Sequence, residues 1–405
     1  MARIPGWQGA SLSRRFDQAT YVGLAIVAAS AVLYWLAARD FDAGRGDFFY
    51  LADAFLQGRT WLDVQPGPND VIIVDGRFYV PFAPFPAFAL IPVVAVLGAV
   101  GADQVESGLN ALMAAGGVGL CWMLLGRIGV AWLVDRFALT VLYGFSTQIL
   151  WVTTRGGVWH TGHLIASILT FACLVELRGR RRAWLIGLLA GAAFLTRAPL
   201  AFAIPFYALL LWGRPDSLST LPWRRWAWLA LGVLPSIVVF FAYNLVRFGN
   251  PLESGYGLAT LPGFLEVQRA KGLFSLAHIP MNLDYFLVHL PAPIAAFPYL
   301  RPDGLGLSVL ITSPGLLFAS RADWRDSRTW WLLGAAILVL IPTLLYYGGG
   351  WLQYGYRYFL DSVPFVIALC GLAAIHRHGI GGRWLALIAF GTVVMAFGVY
   401  WAYRI

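Results

Sequence analysis

A polar stretch at residues 39–86, which follows the first apolar run, holds seven aspartates, over a third of the chain's 20 acidic residues. Asp47 stands directly before an apolar, helix-like segment, and a carboxylate held there could deprotonate an acceptor hydroxyl as a general base. An aspartate before a helix is also a favoured N-cap, which is the simpler interpretation of its spacing. Asp40 and Asp42 are alternative bases, although either could instead only neutralise a neighbouring arginine.

Two arginines, Arg197 and Arg357, are the best candidates for binding a phosphate. Each stands beside aromatic or apolar sequence, and the planar fork of donors on an arginine suits phosphate oxygens. The alternative for Arg357 is an ion pair with Asp361, four residues later on the same predicted helix. The neighbouring Gln353 and Tyr354 belong to a mixed aromatic and polar surface that would fit a sugar phosphate.

A third group of polar side chains lies in the segment TTRGGVWHTGH, which contains Arg155, His160 and His163. The two histidines could share a helical face, but a metal site would need a third ligand that no spacing supplies. They could bind a phosphate or a sugar hydroxyl, or they could simply anchor a helix end at a membrane interface. A later polar region adds Glu253 and Tyr256 as candidates for substrate binding.

Membrane spans are the elements that must position these residues. Of the 405 residues, 59% are hydrophobic and only 12% are charged, whereas a soluble domain carries about 25% charged residues. Runs of about 20 apolar residues, long enough to cross about 30 Å of hydrocarbon, recur along the chain. This composition predicts an all-α polytopic membrane protein with a single integral membrane domain, residues 1–405. No polar stretch is long enough to bury a core of its own.

The net charge of +9 comes almost entirely from arginines in short loops between apolar segments. That pattern indicates a positive-inside orientation among membrane lipids and argues against a nucleic-acid partner. The three cysteines all lie in apolar segments and show neither a disulfide framework nor metal-site spacing.

The order of apolar segments and basic loops predicts about 11 transmembrane helices with the N-terminus inside. The segments lie near 19–38, 84–101, 107–125, 131–150, 158–177, 183–196, 198–212, 226–247, 304–319, 329–347, 359–376 and 384–402. Three of these segments lie between residue 83 and residue 150, which are both predicted to be outside, so the number that crosses must be even. Segment 84–101, which Pro92 interrupts, is therefore expected to be re-entrant or interfacial.

The first outer loop, residues 39–83, is predicted to be folded. The run FFYLADAFLQG after Asp47 predicts a short amphipathic helix in the outer interface, ending near Gly58. Its apolar face would consist of Phe48, Leu51, Phe55 and Leu56. Asp75-Gly76 stands between two β-prone runs and suits a tight hairpin. Residues 248–303 form a second outer loop region, with further amphipathic pieces.

These features together resemble the GT-C superfamily of membrane glycosyltransferases, and more closely its bacterial branch related to protein mannosyltransferases and aminoarabinose lipid A transferases. The similar stretches cover most of the chain and are GDFFYLADAFLQGRTWLD, YVPFAPFPAFALIP, GRIGVAWLVDR, TTRGGVWHTGH, LLAGAAFLTRAPLA and GWLQYGYRYFLDSVPF. One departure concerns the first of these stretches. Many relatives have a paired acidic motif there, whereas here Asp47 is followed by Phe48.

The resemblance implies an enzyme that takes a sugar from a polyprenyl-phosphate donor on the outer face of the bacterial plasma (inner) membrane. The acceptor would be a lipid, a glycan or a protein, and inversion at the anomeric carbon would release polyprenyl phosphate. Asp47 would be the base, and Arg357, with Arg197, would hold the donor phosphate. Relatives use a divalent metal in some cases and none in others, so the resemblance implies no fixed cofactor.

A lipid or glycan transporter without chemistry is the alternative function. A transporter would be expected to place ionisable groups near the bilayer midplane and to show two repeated halves. The ionisable residues of this chain instead gather at one face, and no repeat is visible.

Overall fold

The computed structural model describes residues 12–41, 46–67, 69–213 and 221–403. This part of the chain is mostly helical. The α-helices in chain order are α1 (Leu12–Ala38), α2 (Asp47–Leu56), α3 (Phe85–Gln104), α4 (Glu106–Ile128), α5 (Leu133–Phe145), α6 (Ile149–Arg155), α7 (Val158–Leu177), α8 (Ala183–Phe194), α9 (Ile204–Trp212), α10 (Trp223–Phe248), α11 (Gly263–Arg269), α12 (Ile279–Leu283), α13 (Val309–Thr312), α14 (Ser327–Leu345), α15 (Val363–His376) and α16 (Gly382–Ala402).

Short helices of other types and two small sheets complete the described fold. The 3₁₀-helices are Ala198–Ala203, Leu276–His278, Pro314–Arg321 and Arg357–Asp361, and Asp284–Val288 is a π-helix. Strands β1 (Ile72–Val74) and β2 (Arg77–Tyr79) form one antiparallel pair, and β3 (Ala292–Pro293) and β4 (Leu300–Arg301) form the other.

Seven helices in the described residues are long and apolar enough to cross a membrane. The count rises to 8 if α5 and α6, which are bent by 42° at their break, form one span. Three shorter apolar helices, Ala183–Phe194, Ala198–Trp212 and Val363–His376, accompany them. The fold is therefore that of a multi-pass helical membrane protein, and the predicted number of about 11 spans is not confirmed.

The predicted apolar segment near 304–319 is not one continuous helical span. The chain there forms only the four-residue α13 and the 3₁₀-helix Pro314–Arg321. Pro314 lacks a backbone donor and cannot extend α13, and Gly304 and Gly306 have positive φ angles of 81° and 152°. The segment instead packs its buried side chains against α15 and α16.

Helix α7 is the central helix of the bundle. Of its most apolar window, 83% is buried inside the protein, compared with 56% or less for every other candidate span. It packs against α4 on one side and α8 on the other. Residues in its first turn therefore lie near the middle of one end of the bundle.

Helices α8 and α10 cross at a contact made by small residues. Gly187 and Gly191 stand one turn apart on α8, and Gly232 and Ser236 stand one turn apart on α10. A β-carbon on Gly187 would overlap the carbonyl oxygen of Leu229, and one on Gly191 would overlap Ser236. Small residues spaced by four allow membrane helices to approach closely, because the hydrophobic effect supplies little attraction between helices in lipid.

Replacing Gly187 by Ala should lower the free energy of unfolding by about 1–3 kcal/mol, because the added methyl group forces the α8–α10 contact apart. The measurement is the apparent unfolding temperature of the full chain in detergent. Gly116→Ala is the matched control, because a β-carbon there meets open space and alanine favours a helix by about 0.5–1 kcal/mol over glycine. Equal unfolding temperatures for the two variants would contradict the close crossing.

Two predicted parts of the first loop, residues 39–83, are confirmed: the hairpin and the short helix. Asp75 and Gly76 have φ angles of 50° and 72°, as a two-residue turn between antiparallel strands requires. Helix α2 is also present, but its buried face differs from the predicted one. Phe49 is 1% exposed and lies inside, whereas Leu56 is 49% exposed. The reason is that α2 packs along α3 rather than lying alone in the interface.

The two loop regions that were predicted to be outer, residues 39–83 and 248–303, pair with each other through the backbone. Ile72 on β1 forms a bridge with Ala259, and the backbone of Thr260 donates to the carbonyl oxygen of Val71 at 2.8 Å. Trp159 on α7 donates through Nε1 to Asp70 at 2.9 Å. These contacts hold both loops over the first turn of α7.

Both ends of α3 contact the same side of the bundle. The amide of Phe85 donates to the carbonyl oxygen of Leu195, just after α8, at 3.1 Å. At the other end, Asp103 accepts a hydrogen bond of 3.4 Å from Tyr50 of α2. Pro92 and Gly98, which has a φ angle of 70°, interrupt the helix between these ends.

Candidate functional site

The first turn of α7 is set by two glycines. Gly156 and Gly157 have φ angles of 57° and 80°, a region that residues with a β-carbon rarely adopt, so the chain turns sharply between α6 and α7. His160 Nδ1 lies 2.5 Å from the carbonyl oxygen of Gly156 and fixes the ring against this turn. His160 is buried, and its Nε2 atom makes no hydrogen bond within the protein.

Asp361 joins three separate parts of the chain. Both of its carboxylate oxygens accept from Arg197 Nε at 2.7 Å, and Oδ1 lies 3.3 Å from His163 Nδ1. All three residues are at least partly buried, with only 1% of the Asp361 side chain exposed. Arg197, between α8 and the following 3₁₀-helix, therefore has the partner that an arginine at a membrane helix end requires.

The ion pair between Arg357 and Asp361 that the sequence suggested does not form. The segment Arg357–Asp361 is a 3₁₀-helix, in which residues three apart are eclipsed and residues four apart point in different directions. The guanidinium carbon of Arg357 instead lies 5.4 Å from the ring centre of Tyr358.

Arg357 is a buried cation with unused hydrogen-bond donors on its guanidinium group. Its residue is only 6% exposed, and neither Nε nor Nη1 has a hydrogen-bond partner. Gln353 holds its backbone, because Gln353 Oε1 accepts from the Arg357 amide at 3.0 Å. Buried polar groups normally find partners, so this guanidinium is the strongest sign of a ligand among the described residues.

Arg197 and Arg357 line one cavity of about 140 Å³, which we call the arginine cavity. Its other walls are mostly aromatic or apolar and include Phe48, Phe82, Val158, Trp159, Pro199, Tyr256, Phe274, Pro342, Tyr346 and Tyr358. The hydrogen bonds from Arg197 to Asp361 both use Nε and do not engage its two terminal nitrogens. The cavity therefore presents guanidinium donors within a low-dielectric wall, which strengthens their interaction with an anion.

Asp47 lies beside the arginine cavity but faces a different space. It lines a cleft of about 450 Å³, the acidic cleft, together with Asp53, Asp63 and Asp103. Asp47 is 1% exposed and is the first residue of α2, whose N-cap is Gly46, so the N-cap interpretation of Asp47 was wrong. Because Phe48 lines the arginine cavity, the first turn of α2 stands between the two spaces.

Asp40 and Arg155 line a third space, a polar cleft of about 440 Å³. Asp40 is exposed and accepts from the adjacent Arg39 Nε at 3.3 Å, which is the neutralising role considered for it. Arg155 donates through Nη1 to the carbonyl oxygen of Ala402 at 3.0 Å. Asp42 lies outside the described residues.

Glu106 was missed at the sequence level. Its Oε1 accepts from the Gly157 amide at 2.9 Å, from Thr161 Oγ1 at 3.0 Å and from Asn110 at 3.4 Å. Glu106 also lines the polar cleft, so it links that cleft to the turn that begins α7. A lone glutamate next to an apolar run was the only signal available in the sequence.

Of the remaining candidate residues, one lines the arginine cavity and the others do not. Tyr256 lines the arginine cavity, and burial raises the pKa of its hydroxyl group, which keeps that group neutral at physiological pH. Tyr354 donates to the carbonyl oxygen of Val394 at 2.9 Å, and Glu253 accepts from the Gly255 amide at 2.7 Å. Both residues therefore make hydrogen bonds within the protein. Neither of them lines the arginine cavity, and neither His160 nor His163 lines it.

The second outer region contains an ionic clamp at His289. Its Nδ1 lies 3.0 Å from Asp284 and its Nε2 lies 2.8 Å from Asp303. Burial by itself lowers the pKa of His289, but the hydrogen bonds to the two carboxylates outweigh that effect and raise the pKa above its ordinary value. The protonated ring therefore stabilises the folded loop.

We expect the loop around His289 to loosen as the pH rises. The stabilisation is fully present below the ordinary histidine pKa of about 6.5 and is lost as the pH rises through the raised folded-state pKa. The measurement is hydrogen exchange at pH 6 and pH 9, corrected for the intrinsic rate, at the Ser308 amide, which donates to the His289 carbonyl oxygen at 2.9 Å. His289→Gln should lose this pH dependence, and protection that grows with pH in the unmodified chain would refute the clamp.

The described residues contain no group of three or more histidine, cysteine, aspartate or glutamate side chains that could hold a metal ion. Comparisons with known proteins identify no relative, because no family model, no curated protein and no solved structure matches this chain.

Proposed function

We propose that this protein is a polyprenyl-phosphate-sugar-dependent glycosyltransferase that acts on the outer face of the bacterial plasma membrane. The observation that carries the proposal is the buried, unpartnered guanidinium of Arg357 in a cavity walled by aromatic residues. The resemblance to the GT-C superfamily supplies the reaction class, and the geometry supplies the candidate groups.

A lipid-linked phosphate fits the arginine cavity by charge. Leaving a buried cation without a counter-charge costs several kcal/mol, and Arg357 has no ion-pair partner in the described residues. A phosphate would accept from Arg357 Nε and Nη1 through the planar fork that suits its oxygens, while Arg197 would contribute a second positive charge. The aromatic and apolar walls would exclude water from this contact, which strengthens it.

In the proposed reaction Asp47 removes the proton from an acceptor hydroxyl. The acceptor oxygen then bonds to the anomeric carbon from the face opposite the phosphate, and the bond between that carbon and the phosphate oxygen breaks. The electron pair leaves with the polyprenyl phosphate, whose negative charge the guanidinium of Arg357 stabilises. The product has the inverted configuration, and the proton stays on Asp47 until solvent removes it. No described residue is assigned to a divalent metal.

The sizes of the two spaces suggest how the substrates are divided. Sites for drug-sized ligands measure about 300–1,000 Å³, so the arginine cavity of about 140 Å³ has room for a phosphate group but not for a whole sugar phosphate. The acidic cleft of about 450 Å³ is large enough for an acceptor. In this proposal the sugar extends past Phe48, from Arg357 towards Asp47.

The proposal also includes the membrane topology. Both ends of α3 contact residues on the side of the outer loops, which favours an interfacial or re-entrant α3 rather than a crossing. With α3 at the surface, the bent α5–α6 pair counted as one span and the three shorter apolar helices counted as spans, the described helices would make 10 crossings. The broken segment 304–321 would supply an eleventh, and in this proposal the arginine cavity faces the extracytoplasmic side.

Binding of polyprenyl phosphate, the expected product, tests the proposal directly. The full chain in detergent should bind polyprenyl phosphate but not the uncharged polyprenol, because Arg357 recognises the phosphate. Incubation with a panel of polyprenyl-phosphate sugars should then release polyprenyl phosphate from one of them when acceptor is present. Equal binding of polyprenol and polyprenyl phosphate would overturn the proposal, and transport of the intact donor without release would favour the transporter.

A further inference from the structure

Another cavity, of about 340 Å³, lies between helices α4, α7, α9, α14 and α15. We call it the basic cavity. Its apolar wall consists of Leu124, Ile128, Leu174, Leu177, Leu210, Leu332, Ala368 and Leu372, and its remaining lining residues are Gly213 and three arginines, Arg178, Arg181 and Arg328. An apolar chamber with guanidinium groups at one end matches a molecule that has an apolar chain and an anionic head.

The basic cavity lies on the membrane face opposite the arginine cavity. Helix α7 has Val158 at the arginine cavity and Leu177 at the basic cavity, and α14 runs the other way, from Arg328 to Thr343. A helix of about 20 residues rises about 30 Å, which is the thickness of the hydrocarbon core. The loops that carry Arg178, Arg181 and Arg328 are those that the positive-inside pattern predicts to be cytoplasmic.

Two of the three arginines form no salt bridge with a described residue. Arg328 pairs with Asp326, whereas neither Arg178 nor Arg181 makes a salt bridge there. Partial burial and the charge of Arg328 lower the pKa of Arg178, although the nearby Asp326 opposes this shift. Partial burial and the charges of Arg225 and Arg178 lower the pKa of Arg181. An anion placed between them would relieve this mutual repulsion.

The backbone holds Arg181 in an uncommon conformation that directs it to the cavity. Its φ angle is 57°, and its amide donates to the carbonyl oxygen of Glu176 at 2.9 Å. Its Nη2 donates to the carbonyl oxygens of Leu210 and Leu211 at 3.0 and 2.7 Å, whereas Nε is buried and has no partner. An unsatisfied buried donor in a strained turn is a feature that often accompanies a ligand site.

We propose that the basic cavity binds an anionic phospholipid of the cytoplasmic leaflet. The phosphate of the headgroup accepts from Arg178 and Arg181, and an acyl chain lies along the leucines of the apolar wall. A free phosphate ion would offer the same head chemistry but would leave that wall without contact. Anionic lipids are concentrated in the cytoplasmic leaflet and are attracted to clustered arginines there.

The experiment measures the apparent unfolding temperature of the full chain in a neutral detergent, at one scan rate. The probes are phosphatidylglycerol, the zwitterionic phosphatidylcholine and inorganic phosphate. We expect phosphatidylglycerol to raise the temperature by about 3 °C or more and the other two probes by less than about 1 °C. An equal rise with phosphatidylcholine would overturn the proposal, and an equal rise with inorganic phosphate would overturn its lipid assignment.

Two variants test whether phosphatidylglycerol raises the unfolding temperature by binding in the basic cavity. Arg178→Gln, at an exposed position with no hydrogen bond to lose, should remove at least half of the rise, whereas Arg180→Gln in the same loop should keep it because Arg180 does not line the cavity. Ala368→Leu fills the apolar part of the cavity without changing any charge and should also abolish the rise. A full response to phosphatidylglycerol in both Arg178→Gln and Ala368→Leu would show that the lipid binds elsewhere and would refute the site.

Discussion

Replacing Asp47 by Asn should reduce sugar transfer by about 10²–10⁴-fold, the usual contribution of a general base, while the protein still folds. The amide has the shape of the carboxylate but cannot accept the proton of the acceptor hydroxyl. Because Gly46 rather than Asp47 is the N-cap of α2, the substitution keeps the cap, and the favourable charge that it removes from the first turn is worth about 0.3–1 kcal/mol. The measurement is the rate of polyprenyl phosphate release at saturating donor and acceptor.

Asp53→Asn is the matched control for this prediction. Asp53 lies on the same helix, lines the same acidic cleft and accepts a hydrogen bond from Gln57 at 2.6 Å. It should keep most of the activity. Retention of more than about a tenth of the activity by Asp47→Asn would exclude Asp47 as the base and would transfer the hypothesis to Asp40 and Asp42.

Replacing Arg357 by Met should have opposite effects on function and stability. Affinity for polyprenyl phosphate should fall by about 100-fold, because a charged hydrogen-bonding partner of a buried phosphate is lost. The ligand-free protein should become more stable by about 1–3 kcal/mol, since a buried donor group without partners is replaced by an apolar side chain of similar length. Both quantities can be measured on the same detergent preparation, by ligand titration and by thermal unfolding.

Two further variants show whether the geometry of Arg357 matters beyond its charge. Arg357→Lys keeps the charge but not the planar fork, so it should recover only part of the affinity. Arg301→Gln removes an exposed arginine from the second outer region and should change neither quantity. A loss of stability in Arg357→Met would mean that the protein itself satisfies the guanidinium, and the argument for a bound phosphate would fall.

Local sequence predicted the parts of the fold that depend on neighbouring residues. The hairpin at Asp75-Gly76 was predicted because only a few residue types tolerate two successive positive φ angles. Helix α2 was predicted from its spacing and from Gly58 after it. The apolar segment 158–177 was predicted with the ends that α7 has, because a long apolar helix in lipid has few alternatives.

The arrangement of the candidate site could not be predicted in the same way. Spacing suggested a local pair between Arg357 and Asp361, but the partner of Asp361 is Arg197, 164 residues away. A single sequence contains no signal for such a distant contact. The buried face of α2 was predicted wrongly, because α3, against which α2 packs, was expected to interact mainly with the membrane. The segment 304–319 was mistaken because apolar content alone does not reveal that the chain is broken into two short helices.

The distance along the chain between Arg197 and Asp361 has a consequence for biosynthesis. At about 5–20 residues per second, the 164 residues that separate them take about 8–33 s to synthesise. During that time the nascent chain must place Arg197 in or near a membrane without its carboxylate partner. We therefore expect the turn between α8 and the next helix to stay in water at the membrane surface until about the last ninth of the 405 residues emerges. The cavity would then be completed only by a late docking of the segment that carries Arg357 and Asp361.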